Sequence, residues 1–197
     1  DVNKPATDHL EHDSEQIWAA VAAAVRRALA EGGIDPGRDA GLAFDATCSL
    51  VLLDAQGRPV TVSTTGADRW NVVMWADHRA LSEAAEITAT GHRALAYVGG
   101  TMSPEMELPK LLWLKRHLPD AWRRAGMAFD LADYLTWKAT GVATISACTV
   151  TCKWAYQAQE NRWSAEFFRR IGLGMLAEDG FARIGRAVQA PGRPVGQ

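Results

Sequence analysis

Apolar residues recur at every fourth position over 17–29, a spacing that places them on one face of an α-helix. Asp13 precedes this stripe, and Gln16 stands three residues after Asp13, a pair that is typical of a capping box at a helix N-terminus. A glycine pair at 32–33 follows the stripe, and glycine commonly ends helices. The pattern therefore predicts a helix that starts at Asp13 and ends at this glycine pair.

Three apolar stretches of strand length follow this helix. The first covers 41–54, the second 58–62 and the third 71–76. Turn-forming residues separate the first two stretches, which predicts a hairpin. A small and polar stretch, 45–49, interrupts the first one. The sequence therefore predicts a buried strand with a break in it, a hairpin partner and a third strand.

Helical patterns dominate the second half of the chain. Asp130 and Ser164 each precede such a pattern and are suitable N-caps. Helices are predicted near 79–90, within 99–119, and at 120–125, 131–140 and 164–171. The small and β-branched stretch 142–154 lacks a helical period and is predicted to be a loop or a short strand. Strands that precede a run of helices indicate a mixed α/β fold with a modest sheet.

Composition narrows the classes of function. The chain has 197 residues, of which 48% are hydrophobic, and a formal net charge of −2. That length can bury one good core, and the charge gives no reason to expect binding to nucleic acid or to a membrane surface. No apolar run approaches the roughly 20 residues of a membrane-spanning helix. Three cysteines form an odd and sparse set, which argues against a disulfide framework and for a reducing cytoplasm.

Both ends of the chain suggest that it continues beyond them. The opening stretch, 1–13, is polar and has no strand before it, and 191–197 is rich in Pro and Gly, as linkers are. We expect one domain over 1–190 that lacks its first strands, and a linker over 191–197 that leads to a further domain.

Asp77, His78 and Arg79 stand together where a predicted strand gives way to a predicted helix. One interpretation is a helix N-terminus, where a carboxylate meets the helix dipole and free N–H groups. The other is a ligand site, because Trp75 and Asp77 lie on the same side of an extended strand. An aromatic ring beside a carboxylate suits a polyol, whose C–H surface the ring covers and whose hydroxyls the carboxylate accepts. Both interpretations stay open on the sequence.

Polar residues elsewhere give weaker signals. Thr47 and Cys48 lie in the break of the first strand, which is either a β-bulge or backbone that touches a small ligand. Lys153 is either a solvated surface group or a donor to a sugar oxygen or a phosphate. His9 and His12 have a spacing that could hold a metal, in a stretch near the chain terminus where ordered sites are rare.

Five segments together resemble a known family. In chain order they are GLAFDATCSLVLLD, VVMWADHRA, GGTMSPEMELPKLLWLK, FDLADYLTWKATG and CTVTCKWAY. Their order and distances are similar to those of the N-terminal domain of the FGGY carbohydrate kinases, and within that family to the ribulokinase and ribitol-kinase-like members. The similarity runs from Glu11 to Gly196.

The resemblance implies an α/β domain of the ribonuclease-H-like type, the fold of the actin and Hsp70 ATPases, incomplete at both ends. Such kinases transfer a phosphoryl group from ATP, with Mg²⁺, to a sugar hydroxyl in a cleft between two domains. Carried over position by position, the resemblance assigns contacts with a pentulose or pentitol to Thr47, Cys48, Trp75, Asp77 and Lys153.

The departures from the family pattern concern the catalytic parts. The family's phosphate loop does not precede Asp1, and its general-base aspartate belongs to a C-terminal domain that does not follow Gln197. We therefore expect no catalytic residue in this chain, and ATP and Mg²⁺ bound mainly by parts absent from it. Glu105 or Glu107 is a further candidate sugar contact. The expected protein is a cytoplasmic kinase, with a homodimer left open; the rival hypotheses are a catalytically silent sugar-binding or regulatory module and a helical scaffold without a ligand.

Overall fold

The computed structural model describes residues 1–38, 41–185 and 187–196. Its first long element is helix α1, Ser14–Gly32, which follows a short strand β1, Glu11–His12. The Asp13 carboxylate accepts hydrogen bonds from the backbone N–H groups of Glu15 and Gln16, and Gly33 ends the helix with a left-handed φ of 59°. These contacts confirm the helix that the apolar stripe and its caps predict.

The main sheet has four strands in the order β1-β3-β2-β4, and every pair is antiparallel. Strand β2 is Leu50–Asp54, β3 is Val72–Val73 and β4 is Ala125–Asp130. The strand predicted over 41–54 is therefore limited to its last five residues. The stretch 41–49 joins no strand ladder within the part of the chain that the structure describes.

The predicted hairpin is present as a turn, without a regular second strand. The backbone N–H of Asp54 donates to the oxygen of Arg58, and the N–H of Val60 donates to the oxygen of Leu52. A single bridge joins Leu53 to Pro59, and proline has no N–H with which to continue a ladder.

Strand β4 is an element that the sequence pattern misses. Its sequence, AGMAFD, is rich in small residues that have little intrinsic preference for strands. It forms because it pairs with β2 along its whole length, in a register that shifts near Asp54. Gly126 lies at this irregularity, and a Cβ there would come within 2.4 Å of the backbone nitrogen of Ala55.

The helices predicted in the second half are present, with small differences in their bounds. They are α2 (Leu81–Ala89), α3 (Glu107–His117), α4 (Pro119–Arg124), α5 (Leu131–Thr140) and α7 (Ala165–Arg170), together with the additional α8 (Gly174–Glu178) and 3-10 helices at Pro36–Arg38 and Arg93–Val98. Asp130 and Ser164 cap α5 and α7 as predicted.

The stretch 142–154 is different from its prediction of loop or short strand. It contains the two-residue strand β5, Ile145–Ser146, and then the helix α6, Ala147–Lys153. Strand β5 pairs in parallel with β6, Val188–Gln189. Helix α6 begins where the Ser146 hydroxyl accepts from the backbone N–H of Cys148, so a cap outweighs the low helix propensity of its threonines and valine.

The core lies between the sheet and the helices that pack on it. Leu50, Leu52, Leu108 and Leu111 are all fully buried, which joins β2 to α3 in one apolar cluster. None of the helices in the described ranges is both long enough and apolar enough to cross a lipid bilayer.

Candidate functional site

The break before β2, the end of β3 and the end of β4 meet at one edge of the sheet. Leu50 pairs with Val73 on one side and with Asp130 on the other. Residues just beyond these three positions therefore lie close together. The backbone N–H of Trp75 confirms this, because it donates to the Ser49 hydroxyl at 3.0 Å.

Four of the five predicted sugar contacts lie at this edge with at least part of their surface accessible. Trp75 is 40% exposed, Thr47 is exposed, and Cys48 and Lys153 are half-buried. Burial raises the pKa of the Cys48 thiol and the Lys153 charge opposes this shift, so the lysine lies within electrostatic reach of the break although 105 residues of sequence separate the two. We call Thr47, Cys48, Trp75 and Lys153 the rim; their contacts with a sugar stay a prediction.

Asp77 does not belong to this accessible group. Its side chain is fully buried, and its two oxygens lie 2.8 and 2.7 Å from Nε and Nη2 of Arg79. The backbone N–H of Leu10 also donates to it, at 2.6 Å. This burial contradicts the expectation that Asp77 contacts a sugar, because a carboxylate with no exposed surface and several donors already in place cannot accept hydroxyl hydrogen bonds.

The helix interpretation of the same cluster is wrong in its detail. Helix α2 begins at Leu81, and its N-cap Ala80 makes no side-chain capping bond. Arg79 instead joins Asp77 to Glu11, with Nη2 at 3.0 Å from Oε1 of Glu11, and donates to the backbone oxygen of Val62 at 2.6 Å. The cluster therefore holds the N-terminal strand and the turn after β3 against the core.

Three ionisable side chains lie behind the rim: Glu107, a candidate sugar contact on the sequence, Asp130, a predicted N-cap, and Lys110, which the sequence analysis does not mention. Glu107 and Lys110 occupy the start of α3 and are fully buried, and Asp130 at the end of β4 is 1% exposed. Nζ of Lys110 lies 3.7 Å from Oε1 of Glu107. We call Glu107, Lys110 and Asp130 the floor. One signal could have found Lys110: it stands three residues after Glu107 on an otherwise apolar helix face.

Burial changes the protonation of the floor and of the cysteine above it. Desolvation raises the pKa of Asp130 to about 8 and the pKa of Glu107 to about 7, although Lys110 opposes both shifts. Desolvation and the carboxyls of Asp130 and Glu107 raise the pKa of the Cys48 thiol to about 12. Cys48 is therefore a neutral thiol at physiological pH and not a nucleophile.

This leads to a test on the thiols. At pH 8 we expect iodoacetamide to modify the exposed Cys148 well before Cys48, because the thiolate is the reactive form and Cys48 holds its proton. Peptide mass spectrometry over a time course measures both rates, and the urea-unfolded chain, in which they should be alike, is the control. Equal rates in the folded protein would contradict the protonated assignment.

The two histidines considered as metal ligands have other neighbours. The ring of His9 packs edge-on against Trp113 with centroids 5.3 Å apart, and Nδ1 of His12 lies 3.0 Å from the backbone oxygen of Asp1. Over 1–38, 41–185 and 187–196, no group of three or more His, Cys, Asp or Glu side chains could hold a metal ion.

Comparison with solved structures identifies the class of fold. The chain is similar to a xylulose kinase from Lactobacillus acidophilus, with a TM-score of 0.81 at 18% identity over 100% of this chain and 37% of that one. A xylulose kinase from Rhodospirillum rubrum matches with a TM-score of 0.71 at 18% identity, over 95% and 36% of the two chains. The chain therefore has the fold of these two kinase structures.

Sequence comparison identifies the family. A sequence profile of the FGGY family of carbohydrate kinases, N-terminal domain, matches residues 1–189. The chain is 50% identical to an FGGY carbohydrate kinase domain-containing protein of Danio rerio, over 100% of this chain and 36% of that protein. It is 40% identical to a D-ribulokinase of Saccharomyces cerevisiae, over 93% of this chain and 27% of that protein. The chain belongs to the FGGY family of carbohydrate kinases and spans about a third of the length of these relatives.

Proposed function

We propose that this chain is the sugar-binding half of an ATP-dependent kinase that phosphorylates a pentulose or pentitol of the D-ribulose and ribitol type. The observation that carries the proposal is the meeting of Trp75, Cys48 and Lys153 at one edge of the sheet in a chain of this family. The 40% identity to a yeast D-ribulokinase supports a five-carbon substrate.

The rim has the chemistry that a polyol needs. The indole of Trp75, with 40% of its surface exposed, offers an apolar face to the C–H side of a sugar. Lys153 provides an ammonium that donates to hydroxyl oxygens, and the Thr47 hydroxyl both donates and accepts. These groups bind and orient the sugar, and such positioning accounts for a large share of catalysis in phosphoryl transfer.

We expect ATP and Mg²⁺ to bind mainly to parts of the kinase outside this chain, as the resemblance to the family implies. We therefore assign no step of the transfer to a residue of this chain. The general base, the adenine site and the domain limit near 190 stay predictions about the rest of the kinase, as does its cytoplasmic location.

Replacement of Trp75 tests the proposal. In the full-length kinase, Trp75→Ala should raise the sugar KM by about tenfold, which is about 1.4 kcal/mol of lost binding. The ATP KM should stay unchanged because the indole does not contact the nucleotide. Steady-state ATP-consumption kinetics against a panel of pentuloses and pentitols measures both constants.

Trp70→Ala is the matched control. Trp70 precedes β3 and lies at the opposite end of that strand from Trp75, where its ring packs against Arg69 with the guanidinium 4.5 Å from the ring centroid. It should leave the sugar KM unchanged. An equal rise of the sugar KM and the ATP KM in Trp75→Ala would count against the proposal that the rim contacts the sugar. Sugar-dependent thermal stabilisation without ATP consumption would favour the catalytically silent module.

A further inference from the structure

The floor contains buried polar atoms that the fold itself leaves unused. Within the described residues, both carboxylate oxygens of Glu107, Nζ of Lys110 and Oδ2 of Asp130 have no hydrogen-bond partner. A buried polar group without a partner costs about 1–3 kcal/mol. Native proteins keep few such groups, so four of them in one cluster indicate a role other than stability.

The floor carries an imbalance of charge that reaches the rim. Two carboxyl groups, Glu107 and Asp130, face one buried ammonium, Lys110. The charge of Lys153 also acts on Glu107 and favours its ionised form. The half-buried lysine of the rim therefore acts on Glu107 together with Lys110.

The floor also lies near the cysteine of the rim. Strand pairing places Asp130 opposite Leu50, two residues after Cys48, and the Asp130 carboxyl helps to raise the pKa of the Cys48 thiol. Cys48 thus carries a hydrogen that it can share with Asp130.

The groups around Asp130 come from four elements. They are Cys48 before β2, Glu107 and Lys110 on α3, Asp133 on α5, and Cys152 next to Lys153 on α6. Lys110 is the fully buried cation among them, and the two thiols are neutral below their raised pKa values. The ionisation of the carboxyls therefore decides the local charge.

We propose that Glu107, Lys110 and Asp130 are positioning residues that hold the Cys48 thiol and the Lys153 ammonium in the arrangement that the hydroxyls of the sugar recognise. The proposal rests on the proposed function and extends it to a layer of residues that does not touch the substrate. It explains why the fold keeps buried polar atoms without hydrogen-bond partners beneath the predicted sugar site.

Asp130→Asn in the full-length kinase tests this role. Asparagine is as good an N-cap as aspartate, so α5 keeps its start, while the carboxyl that faces Cys48 is removed. At pH 7, where Asp130 keeps its proton, we expect the sugar KM to rise by about fivefold, the loss typical of one hydrogen bond between uncharged groups, and the ATP KM to stay constant. Glu107→Gln should likewise raise the sugar KM and leave the ATP KM constant. This variant keeps the test decisive if Asp130→Asn folds poorly.

A pH profile separates positioning from a merely structural role. In the wild type, Asp130 loses its proton near pH 8, and its new negative charge acts on the Cys48 thiol of the rim. The sugar KM should therefore rise between pH 7 and pH 9 in the wild type and stay flat in Asp130→Asn.

Glu83→Gln is the matched control, because Glu83 is also buried but pairs with Arg116 on the far side of α3. It should leave the sugar KM and its pH profile unchanged. If the wild type is active and both Asp130→Asn and Glu107→Gln have the same sugar KM and the same pH profile as the wild type, this inference is overturned. The proposed function is not affected by that result. A wild type inert toward every sugar of the panel overturns the proposed function as well.

Discussion

Replacing Arg79 with methionine is expected to lower the free energy of unfolding by about 3–5 kcal/mol. The guanidinium is fully buried and pairs with the carboxylates of Asp77 and Glu11, at 2.7 and 3.0 Å. It also lies 4.9 Å from the centre of the Trp113 ring. Methionine fills a similar volume but leaves two carboxylates buried without a cation. Urea unfolding followed by tryptophan fluorescence measures the loss.

Arg124→Met is the matched control for this prediction. Arg124 pairs with Asp68 at 2.6 Å, but both side chains are about half exposed. Water screens such a pair, so its loss should cost about 0–1 kcal/mol. A loss in Arg79→Met as small as that of the control would show that the buried network contributes little and that Asp77 is free for another role.

The second large effect is a fall in stability as the pH rises from 5 to 8. In the folded protein, burial raises the pKa of Asp130 to about 8 and those of Glu107 and Asp133 to about 7. In the unfolded chain such carboxyls lose their protons near pH 4. Between these limits the folded state binds more protons than the unfolded state, so its stability decreases with rising pH. Each group contributes up to about 1.4 kcal/mol per pH unit.

Asp130→Asn removes one of these groups and should make the slope shallower by up to about 1.4 kcal/mol per pH unit. Equilibrium unfolding at several pH values between 5 and 8 measures the slope. Asp68→Asn is the control: pairing with Arg124 lowers the pKa of Asp68, so its contribution is lost only in acid and the slope above pH 5 should not change. Equal slopes in the wild type and Asp130→Asn would show that Asp130 is ionised in the folded protein throughout this range.

The local contacts of the fold could be predicted because neighbours in sequence make them. Asp13 caps α1, Asp130 caps α5 and Ser164 caps α7. Each contact joins residues two or three positions apart, so it can be predicted from the sequence. The family resemblance could be recognised for a related reason, because its five segments are continuous stretches of sequence.

The site was predictable in part. Trp75 and the break at 47–48 lie at the edge where the resemblance places a sugar, and the structure leaves them accessible. Asp77 was misassigned because its identity and its place after a strand do not reveal its burial. The residues that cover it are distant in the sequence. The backbone N–H of Leu10 donates to the Asp77 carboxylate, and Arg79, which pairs with Asp77, also donates to Glu11.

The sequence by itself determined the caps and phases of the principal helices, the mixed α/β class and the family. The tertiary structure alone decided that AGMAFD is a strand, because β2 lies beside it, and that the side chains of Glu107, Lys110 and Asp130 are buried. The physical reason is range: capping and helical periodicity act over a few residues, whereas strand pairing and desolvation depend on segments that only the folded chain brings together.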